Sequence, residues 1–191
     1  MPKLILASAS PRRKSLLEQV GIIPSLIEAA DIDETPLKNE LPRQYAKRIC
    51  EAKANKISQK YKDDFVISAD TVVSCGRRIL PKAESDEQVS KCLSVLSGRQ
   101  HTVITSVCVV SSDGTKSVKV VETKVRMKKL SDIQIKGYAQ DGEGVGKAGG
   151  YAIQGRAGGF VKSLNGSYSS VVGLPLCETI AMLEGLGWKN G

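Results

Sequence analysis

An α/β fold with a mixed central β-sheet flanked by helices is the class that this sequence predicts, with α+β as the alternative. Near the start, a short apolar run passes through a tight turn directly into a helix, as in a crossover between parallel strands. Farther on, Asp113-Gly114 and Asn165-Gly166 each stand between two β-rich runs, which is a hairpin signal. Crossovers make parallel pairs and hairpins make antiparallel pairs, so the two together indicate a mixed sheet.

The first third of the chain predicts one strand and two helices. Lys3 to Ala7 reads as a short buried strand, and Ser10 with Pro11 marks the start of a helix that ends at Gly21. A second helix is expected from about Arg43 to Tyr61, where apolar residues recur at helical spacing. The apolar positions of the two helices are Leu16, Leu17, Val20, Ala46, Ile49, Cys50 and Ile57.

The middle of the chain predicts a strand and a third helix. Phe65 to Val73 is rich in β-branched residues, which indicates an interior strand that is buried on both faces. Ser85 and Gln88 form a capping box before an apolar helical pattern, and Gly98 follows as a stop.

The second half of the chain predicts two hairpins. His101 to Val110 and Ser117 to Met127 are the arms of the first, and Phe160 to Leu164 and Tyr168 to Val172 are the arms of the second. Two helices complete this half. One begins near Ser131 and the other runs from Pro175 through Leu183. The segment from Gly142 to Gly159 is too rich in glycine to be regular structure throughout.

Composition narrows the class of protein. The 191 residues are 41% hydrophobic, enough for one sizeable core, so we expect a single domain over residues 1–191, with two lobes as a variant. The net charge of +8 favours phosphate-bearing partners, whether polymers or single nucleotides. Five cysteines without a C-x-x-C pair, and no long apolar run, predict a reduced, soluble, cytoplasmic protein that binds no membrane.

The segment from Ser8 to Arg13 predicts an anion site. It joins a strand end, a turn of small residues and a helix N-terminus, where free N–H groups and the helix dipole favour negative charge. Arg12 and Arg13 in the first helical turn have the wrong sign for the dipole, so something negative should compensate them. The alternative is that both arginines are merely solvated.

Lys53 lies on the apolar stripe of the second helix rather than on the opposite face. Lysines are rarely buried without a partner, so this position indicates either a partner anion or a side chain that extends past the edge of the stripe into water.

Asp70 is the first candidate for catalysis, because it is a carboxylate within an otherwise apolar strand. A buried charge costs several kcal/mol, on the order stated for unpaired ions, unless a metal, an arginine or a lysine meets it. The alternative is an aspartate at a strand end on the surface.

Metal chemistry in this chain must use oxygen ligands. With His101 as the one histidine, a His-rich zinc site or a Ser-His-Asp triad is not convincing. Mg²⁺ or Mn²⁺ bridging carboxylate and phosphate oxygens fits better, with Asp33-Glu34 and Asp70 as the candidate carboxylates. The pair Asp33-Glu34 can equally be a solvated loop.

Eight short motifs, each weak alone, occur in an order and at a spacing that are specific together. They are Ala7 to Arg13, Asp33 to Pro36, Ala52-Lys53-Ala54, Ala69-Asp70-Thr71, Leu96-Ser97-Gly98, Lys147 to Gly155, Asn165 to Tyr168 and Val172 to Leu176. Through this set the chain resembles the Maf family of nucleotide pyrophosphatases over nearly its whole length.

The resemblance implies a mixed sheet with flanking helices around a deep nucleotide cleft, similar to that of the inosine triphosphate pyrophosphatases. It also implies a homodimer, and a metal-dependent cut between the α- and β-phosphates of a nucleoside triphosphate. Asp70 would be the general base, the metal ligand or both, and Glu34 would assist in placing the metal or the water. The phosphate-binding residues would be Ser8, Arg12, Arg13, Lys53 and Lys82.

Three positions separate the branches of the family, and here they read Arg12, Thr71 and Gln154. The branch resembling 7-methylguanosine triphosphate pyrophosphatases has tryptophan, glutamine and glutamate there, so this chain resembles the dTTP/UTP branch. An amide such as Gln154 can donate and accept at a pyrimidine edge, which agrees with that choice. One departure is Lys82-Ala83, where the family usually has Lys-Pro.

The resemblance thus predicts a housecleaning hydrolase of dTTP, UTP and modified pyrimidine nucleotides. Two other functions stay open. A nucleic-acid-binding protein fits the charge, but aromatic residues are only 4% and no stacking platform is evident, so we expect no stable nucleic-acid partner. A non-enzymatic regulator of septum formation is the third possibility.

Overall fold

The computed structural model describes residues 2–189 of the chain. The strands of this part are β1 (Leu4–Leu6), β2 (Leu26–Ile27), β3 (Phe65–Cys75), β4 (Arg78–Leu80), β5 (Gln100–Val110), β6 (Lys116–Met127) and β7 (Val161–Asn165). The helices are α1 (Pro11–Gln19), α2 (Pro42–Lys60), α3 (Asp86–Leu96), α4 (Asp132–Gln140), α5 (Tyr168–Val172) and α6 (Leu176–Gly185), with a 3₁₀ helix at Arg156–Phe160. None of the helices in residues 2–189 is long and apolar enough to cross a membrane.

The sheet has seven strands within the described residues and is mixed, as predicted. Its order is β2-β1-β3-β5-β6-β7, and β4 pairs with β3 beside this path. Strand β1 runs parallel to β2 and β3, whereas β4 is antiparallel to β3 and β7 is antiparallel to β6. The α/β class with a mixed central sheet is therefore confirmed.

The chain divides into two compact units. The first contains residues 2–70, 105–121 and 173–189, and the second contains residues 71–104 and 122–172. In the first unit, buried residues of β1, α2, β3 and β5 form one apolar cluster. Its fully enclosed members include Ile5, Cys50, Ala54, Val66 and Cys108.

In the second unit, helices α3 and α4 pack on each other. Ser97 at the end of α3 accepts a hydrogen bond from the Leu130 amide at 2.8 Å, which joins that helix end to the segment before α4. Gly150 lies against Val89 of α3, where an added Cβ would come within 3.1 Å of the helix backbone. Its φ of +69° also favours glycine.

Most predicted elements are confirmed to within a few residues, but the second hairpin is wrong. Tyr168–Val172 forms the short helix α5 instead of a strand, and only the first arm, β7, is present. The Ser167 hydroxyl accepts the Ser170 amide at 3.2 Å, which supplies a helix start that the hairpin prediction overlooked. This five-residue segment is too short to show a period by which a strand could be told from a helix.

The predicted helix caps also differ in detail. Ser10 lies at the N-cap of α1 but makes no side-chain cap bond, and its amide instead donates to the Ser8 hydroxyl at 3.3 Å. Ser85 caps α3 by accepting the Gln88 amide, while the Gln88 side chain accepts the Glu84 amide at 2.9 Å. The reciprocal bond of the predicted box is thus shifted by one residue.

Candidate active site

Asp70 of β3 is buried with 7% of its surface exposed, and its carboxylate accepts a hydrogen bond from the Lys53 ammonium at 2.8 Å. The surface alternative for Asp70 is therefore wrong.

Side chains alternate along a strand, so Ser68 lies on the same face of β3 as Asp70, two residues earlier. The Ser68 hydroxyl donates to the Cys50 carbonyl of α2 at 2.7 Å. Lys53 lies about one turn of α2 after Cys50. The hydrogen bond between Ser68 and Cys50 therefore aligns α2 with β3 and places Lys53 next to Asp70.

Glu34 is the second carboxylate at Lys53, with 2.8 Å between the ammonium and one of its oxygens. Helix α2 also anchors the irregular loop that carries Glu34. The Tyr45 hydroxyl donates to the Glu34 carbonyl at 2.8 Å, and Arg48 donates to the Thr35 carbonyl at 3.1 Å. Arg48 further forms a two-pronged ion pair with Glu40 at 2.6 and 2.7 Å. The same helix thus supplies the lysine and places the exposed carboxylate.

Arg13 is held at the start of α1 by neutral oxygen acceptors. Its guanidinium donates to the Ser8 hydroxyl and to the Gly173 carbonyl, each at 2.8 Å. Arg12 beside it is half-buried. Burial, and secondarily the charge of Arg13, lower the pKa of Arg12. Two adjacent cations at a helix N-terminus make this end of the first unit strongly attractive to an anion.

Burial raises the pKa of Asp70, and the nearby charge of Lys53 offsets this shift in part. Arg13 acts in the same direction as Lys53, while Glu34 adds to the rise. Burial likewise lowers the pKa of Arg13, with Asp70 opposing the change. These mutual effects show that the charged groups lie close enough to interact. A carboxylate with a raised pKa accepts a proton more readily than an ordinary aspartate, as a general base requires.

The donor set suits a hard divalent cation that is shared with phosphate. Asp70 and Glu34 both aim a carboxylate oxygen at one point, where the Lys53 ammonium now lies at 2.8 Å from each. Among residues 2–189, no three His, Cys, Asp or Glu side chains gather closely enough to enclose a metal ion by themselves. Mg²⁺ commonly binds one or two carboxylates and completes its shell with water and substrate phosphates, so two carboxylates fit that use.

Five of the predicted site residues thus meet in the first unit, namely Ser8, Arg13, Glu34, Lys53 and Asp70, with Arg12 next to them in the chain. The other three predicted residues, Thr71, Lys82 and Gln154, belong to the second unit. Thr71 is half-buried on β3, and Gln154 is exposed just before the 3₁₀ helix.

Lys82 is exposed and its backbone forms an isolated β-bridge with Ala148. The departure from Lys-Pro has a structural consequence here. The Ala83 amide donates to the Lys147 carbonyl at 3.1 Å, a bond that a proline cannot make. Ala83 therefore ties the loop of Lys82 to the glycine-rich segment.

With this geometry in view, comparison with known proteins gives the family. Residues 3–186 match the family model described as Maf-like protein. The chain belongs to the Maf family. It is 54% identical to a dTTP/UTP pyrophosphatase of Caulobacter vibrioides, over 98% of this chain and 97% of that protein. It is 52% identical to a dTTP/UTP pyrophosphatase of Rhodopseudomonas palustris (strain BisB5), over 99% and 97% of the two chains.

One solved structure of similar fold is the Ham1 protein of Staphylococcus aureus. It aligns with a TM-score of 0.53 over 95% of this chain and 98% of its own, at 14% sequence identity. At that identity the likeness concerns the fold alone. The Ham1 protein thus shares the overall fold of this Maf protein.

Several residues that build the site in this Maf protein were missed from the sequence. Ser68 had a usable signal, since it is a polar residue two positions before Asp70 on the same strand face. Tyr45 and Arg48 had no sequence signal beyond their place on α2, because their partners lie in a loop without periodicity. The Gly173 carbonyl, 160 residues from Arg13, offers no side chain by which a motif could reveal it.

Proposed function

We propose that this protein hydrolyses dTTP and UTP to the monophosphate and diphosphate, with modified pyrimidine nucleotides as further substrates of a housecleaning activity. The observation that carries the proposal is the buried Asp70 carboxylate, bonded to Lys53 at 2.8 Å next to an arginine pair at a helix N-terminus. The dTTP/UTP pyrophosphatases at 52% and 54% identity over nearly the full chain support the same reaction.

In the proposed reaction, water attacks the α-phosphorus in line with the bond to the bridging oxygen. Asp70 accepts the proton from the water, a new P–O bond forms, and the bond between the α-phosphorus and the bridging oxygen breaks. Diphosphate leaves with that oxygen. Arg12, Arg13 and Lys53 hold the phosphate chain and oppose the charge that develops on the leaving group, while the Ser8 hydroxyl keeps Arg13 aimed.

Glu34 and Asp70 are the proposed ligands of Mg²⁺ or Mn²⁺, together with phosphate oxygens of the substrate. When bound there, the cation would neutralise negative charge on the phosphates. Lys53 would then exchange its bond to Glu34 or Asp70 for a phosphate oxygen. Chelation with EDTA should abolish hydrolysis, and added Mg²⁺ or Mn²⁺ should restore it. Full activity in EDTA would contradict the metal requirement.

Substrate choice is assigned to Arg12, Thr71 and Gln154, and Lys82 is assigned to the phosphates. These roles rest on the resemblance to the dTTP/UTP branch. The exposed position of Gln154 supports its role, since an amide must be accessible to contact a base. We also propose a homodimer, on the same resemblance. The cysteine usage supports a cytoplasmic location, and the lack of a long apolar run and the 4% aromatic content support the proposal of no membrane and no stable nucleic-acid partner.

The test is diphosphate release from dTTP, UTP, CTP, ATP, GTP and 7-methyl-GTP, each with Mg²⁺ and with Mn²⁺. An Asp70→Asn preparation is the control for contaminating hydrolases. We expect release from dTTP and UTP that is strongly reduced in the control. Equal release by both preparations, or none from any nucleotide, would overturn the proposal and favour a binding or regulatory role.

A further inference from the structure

Gln154 lies in the second unit between two backbone anchors. Two residues before it, the Ala152 amide donates to the Tyr138 hydroxyl at 3.1 Å. Two residues after it, the Arg156 amide donates to one carboxylate oxygen of Glu143 at 2.9 Å, and the Ala157 amide approaches the other at 3.4 Å. The backbone on both sides of an exposed side chain is therefore tied down by buried or half-buried groups.

Glu143 acts as a cap for the 3₁₀ helix Arg156–Phe160. The residue before that helix, Gly155, has no side chain to accept the first amides, and the Glu143 carboxylate takes this role from a distant position in the chain. Tyr138 is 1% exposed, and burial first and the neighbouring Glu143 carboxylate second raise the pKa of its hydroxyl. Tyr138, Glu143 and the backbone amides that they accept thus form the network that anchors this segment.

Gly155 shows how closely the backbone rests on the carboxylate. A Cβ built on Gly155 would lie 2.0 Å from one oxygen of Glu143 and 2.4 Å from its carboxyl carbon. Any other residue at this position would have to displace the carboxylate. Gly159, in the same 3₁₀ helix, has nothing within 4 Å of its Cβ position, so it provides a matched control.

We propose that Glu143 is a positioning residue for nucleotide selection, which holds residues 152–157 in one conformation so that Gln154 presents its amide in a single orientation. The inference rests on the proposed role of Gln154 in base recognition. An amide distinguishes bases only if its oxygen and its nitrogen are held in place, because a freely turning amide offers a donor and an acceptor to every base alike.

The network that holds Gln154 is built from residues of the second unit. Its members are Tyr138, Glu143 and the backbone of residues 152–157, all within residues 122–172. A variant of Glu143 should therefore alter which nucleotide binds while the Asp70 chemistry itself is retained.

The test is a double-mutant cycle on binding rather than on turnover. Affinities for α,β-methylene-UTP and α,β-methylene-GTP, which cannot be cut between the α- and β-phosphates, are measured by calorimetry for the full chain. Glu143→Gln should reduce the preference for the UTP analogue about tenfold, the size expected when one hydrogen bond to a charged group is lost. In a Gln154→Ala background the same change should have no further effect.

Gly155→Ala should reduce the preference in the same way, whereas Gly159→Ala should leave it unchanged. Hydrogen exchange of the Arg156 and Ala157 amides should accelerate in Glu143→Gln and Gly155→Ala. Preference lost in Gln154→Ala but retained in Glu143→Gln and Gly155→Ala would overturn the positioning role alone. Unchanged preference in Gln154→Ala would overturn the proposed role of Gln154 and this inference with it.

Discussion

The two units of this protein bury titratable side chains in opposite ways. In the first unit, Asp70 is 7% exposed and has Lys53 and Arg13 around it. In the second unit, His101 is 2% exposed and its Nε2 is hydrogen-bonded to the neutral Tyr151 hydroxyl at 2.7 Å. Charges gathered around a buried group suit a substrate that brings charge of its own, whereas neutral bonds suit a permanent scaffold. The surroundings of Asp70 thus suit the binding of a charged substrate, and those of His101 suit a fixed structural role.

The two groups also make stability depend on pH with opposite signs. The pKa of Asp70 is raised by burial, so between about pH 4 and the shifted pKa the folded state holds the proton more tightly, and stability falls as pH rises. Burial lowers the pKa of His101 to about 4, below its ordinary value of 6.5. Between these values the unfolded chain binds more protons, so stability falls as pH decreases.

The largest expected effect is the loss of activity in Asp70→Asn. Asparagine keeps the size of the side chain but cannot accept a proton, so turnover of dTTP should fall by about 10²- to 10⁴-fold. In the wild type, the acid limb of the pH profile of kcat/KM should lie above the ordinary aspartate pKa, because burial raises the pKa of Asp70. Steady-state kinetics from pH 4 to 9 measures both quantities.

The Asp70→Asn enzyme should remain folded, because it removes a buried charge rather than a packing contact. Its circular dichroism and melting temperature at neutral pH provide the control. A near-native turnover in a folded variant would show that Asp70 is not the base, and would remove the main chemical contrast between the two units.

The second prediction concerns Lys53→Met. Without the ammonium, Asp70 loses the cation that most lowers its pKa, so the acid limb should move to higher pH. Loss of one charge-assisted hydrogen bond should also reduce kcat/KM about 10- to 100-fold at neutral pH. Lys53→Arg retains the charge and should leave the limb nearly in place. An acid limb unchanged in Lys53→Met would mean that the limb reports some group other than Asp70.

The charged cluster around Asp70 was easier to predict from the sequence than the network around Glu143. Asp70 and Lys53 stand out because each places a charge where the local pattern is apolar, and the structure joins them at 2.8 Å. Glu143 had no such signal. It lies in a glycine-rich stretch without periodicity, and its partners are backbone amides that no motif reports.

Predictions of regular structure succeeded where a period or a cap was present. The helix predicted to begin near Ser131 is present, and Ser131 and Gln134 form a capping box at its start, with bonds of 3.1 and 3.3 Å. Tyr168–Val172 lacks a period, and there the strand prediction was wrong. Strands β2 and β4, of two and three residues, were not predicted, and they pair with β1 and β3, respectively.

The third prediction tests the structural role of the pair formed by His101 and Tyr151 in the second unit. Tyr151→Phe removes the hydroxyl bonded to His101 and leaves a buried ring nitrogen without its partner, which should cost about 1–3 kcal/mol of unfolding free energy. Turnover at saturating dTTP should stay within about twofold, since Asp70 is untouched. Urea unfolding measures the first effect. Tyr168→Phe, at a tyrosine with 50% exposure, is the matched control and should stay within about 0.5 kcal/mol of the wild type.

The smallest effect is expected from His101→Gln, and it bears most directly on the opposite pH slopes. Glutamine can still bond the Tyr151 hydroxyl but does not titrate, so the variant should lose less stability than the wild type on acidification. From pH 7 to pH 5.5 the difference should be roughly 1 kcal/mol, because the pKa of His101 is lowered to about 4 by burial. Asp70→Asn should change the pH dependence in the other direction. Between the ordinary aspartate pKa and the raised pKa of Asp70, the variant lacks the stability that the wild type gains on acidification, and urea unfolding measures this difference. If the unfolding free energy of both variants depends on pH as in the wild type, the two buried groups do not set the pH dependence of folding. The contrast between Asp70 and His101 would then concern activity alone.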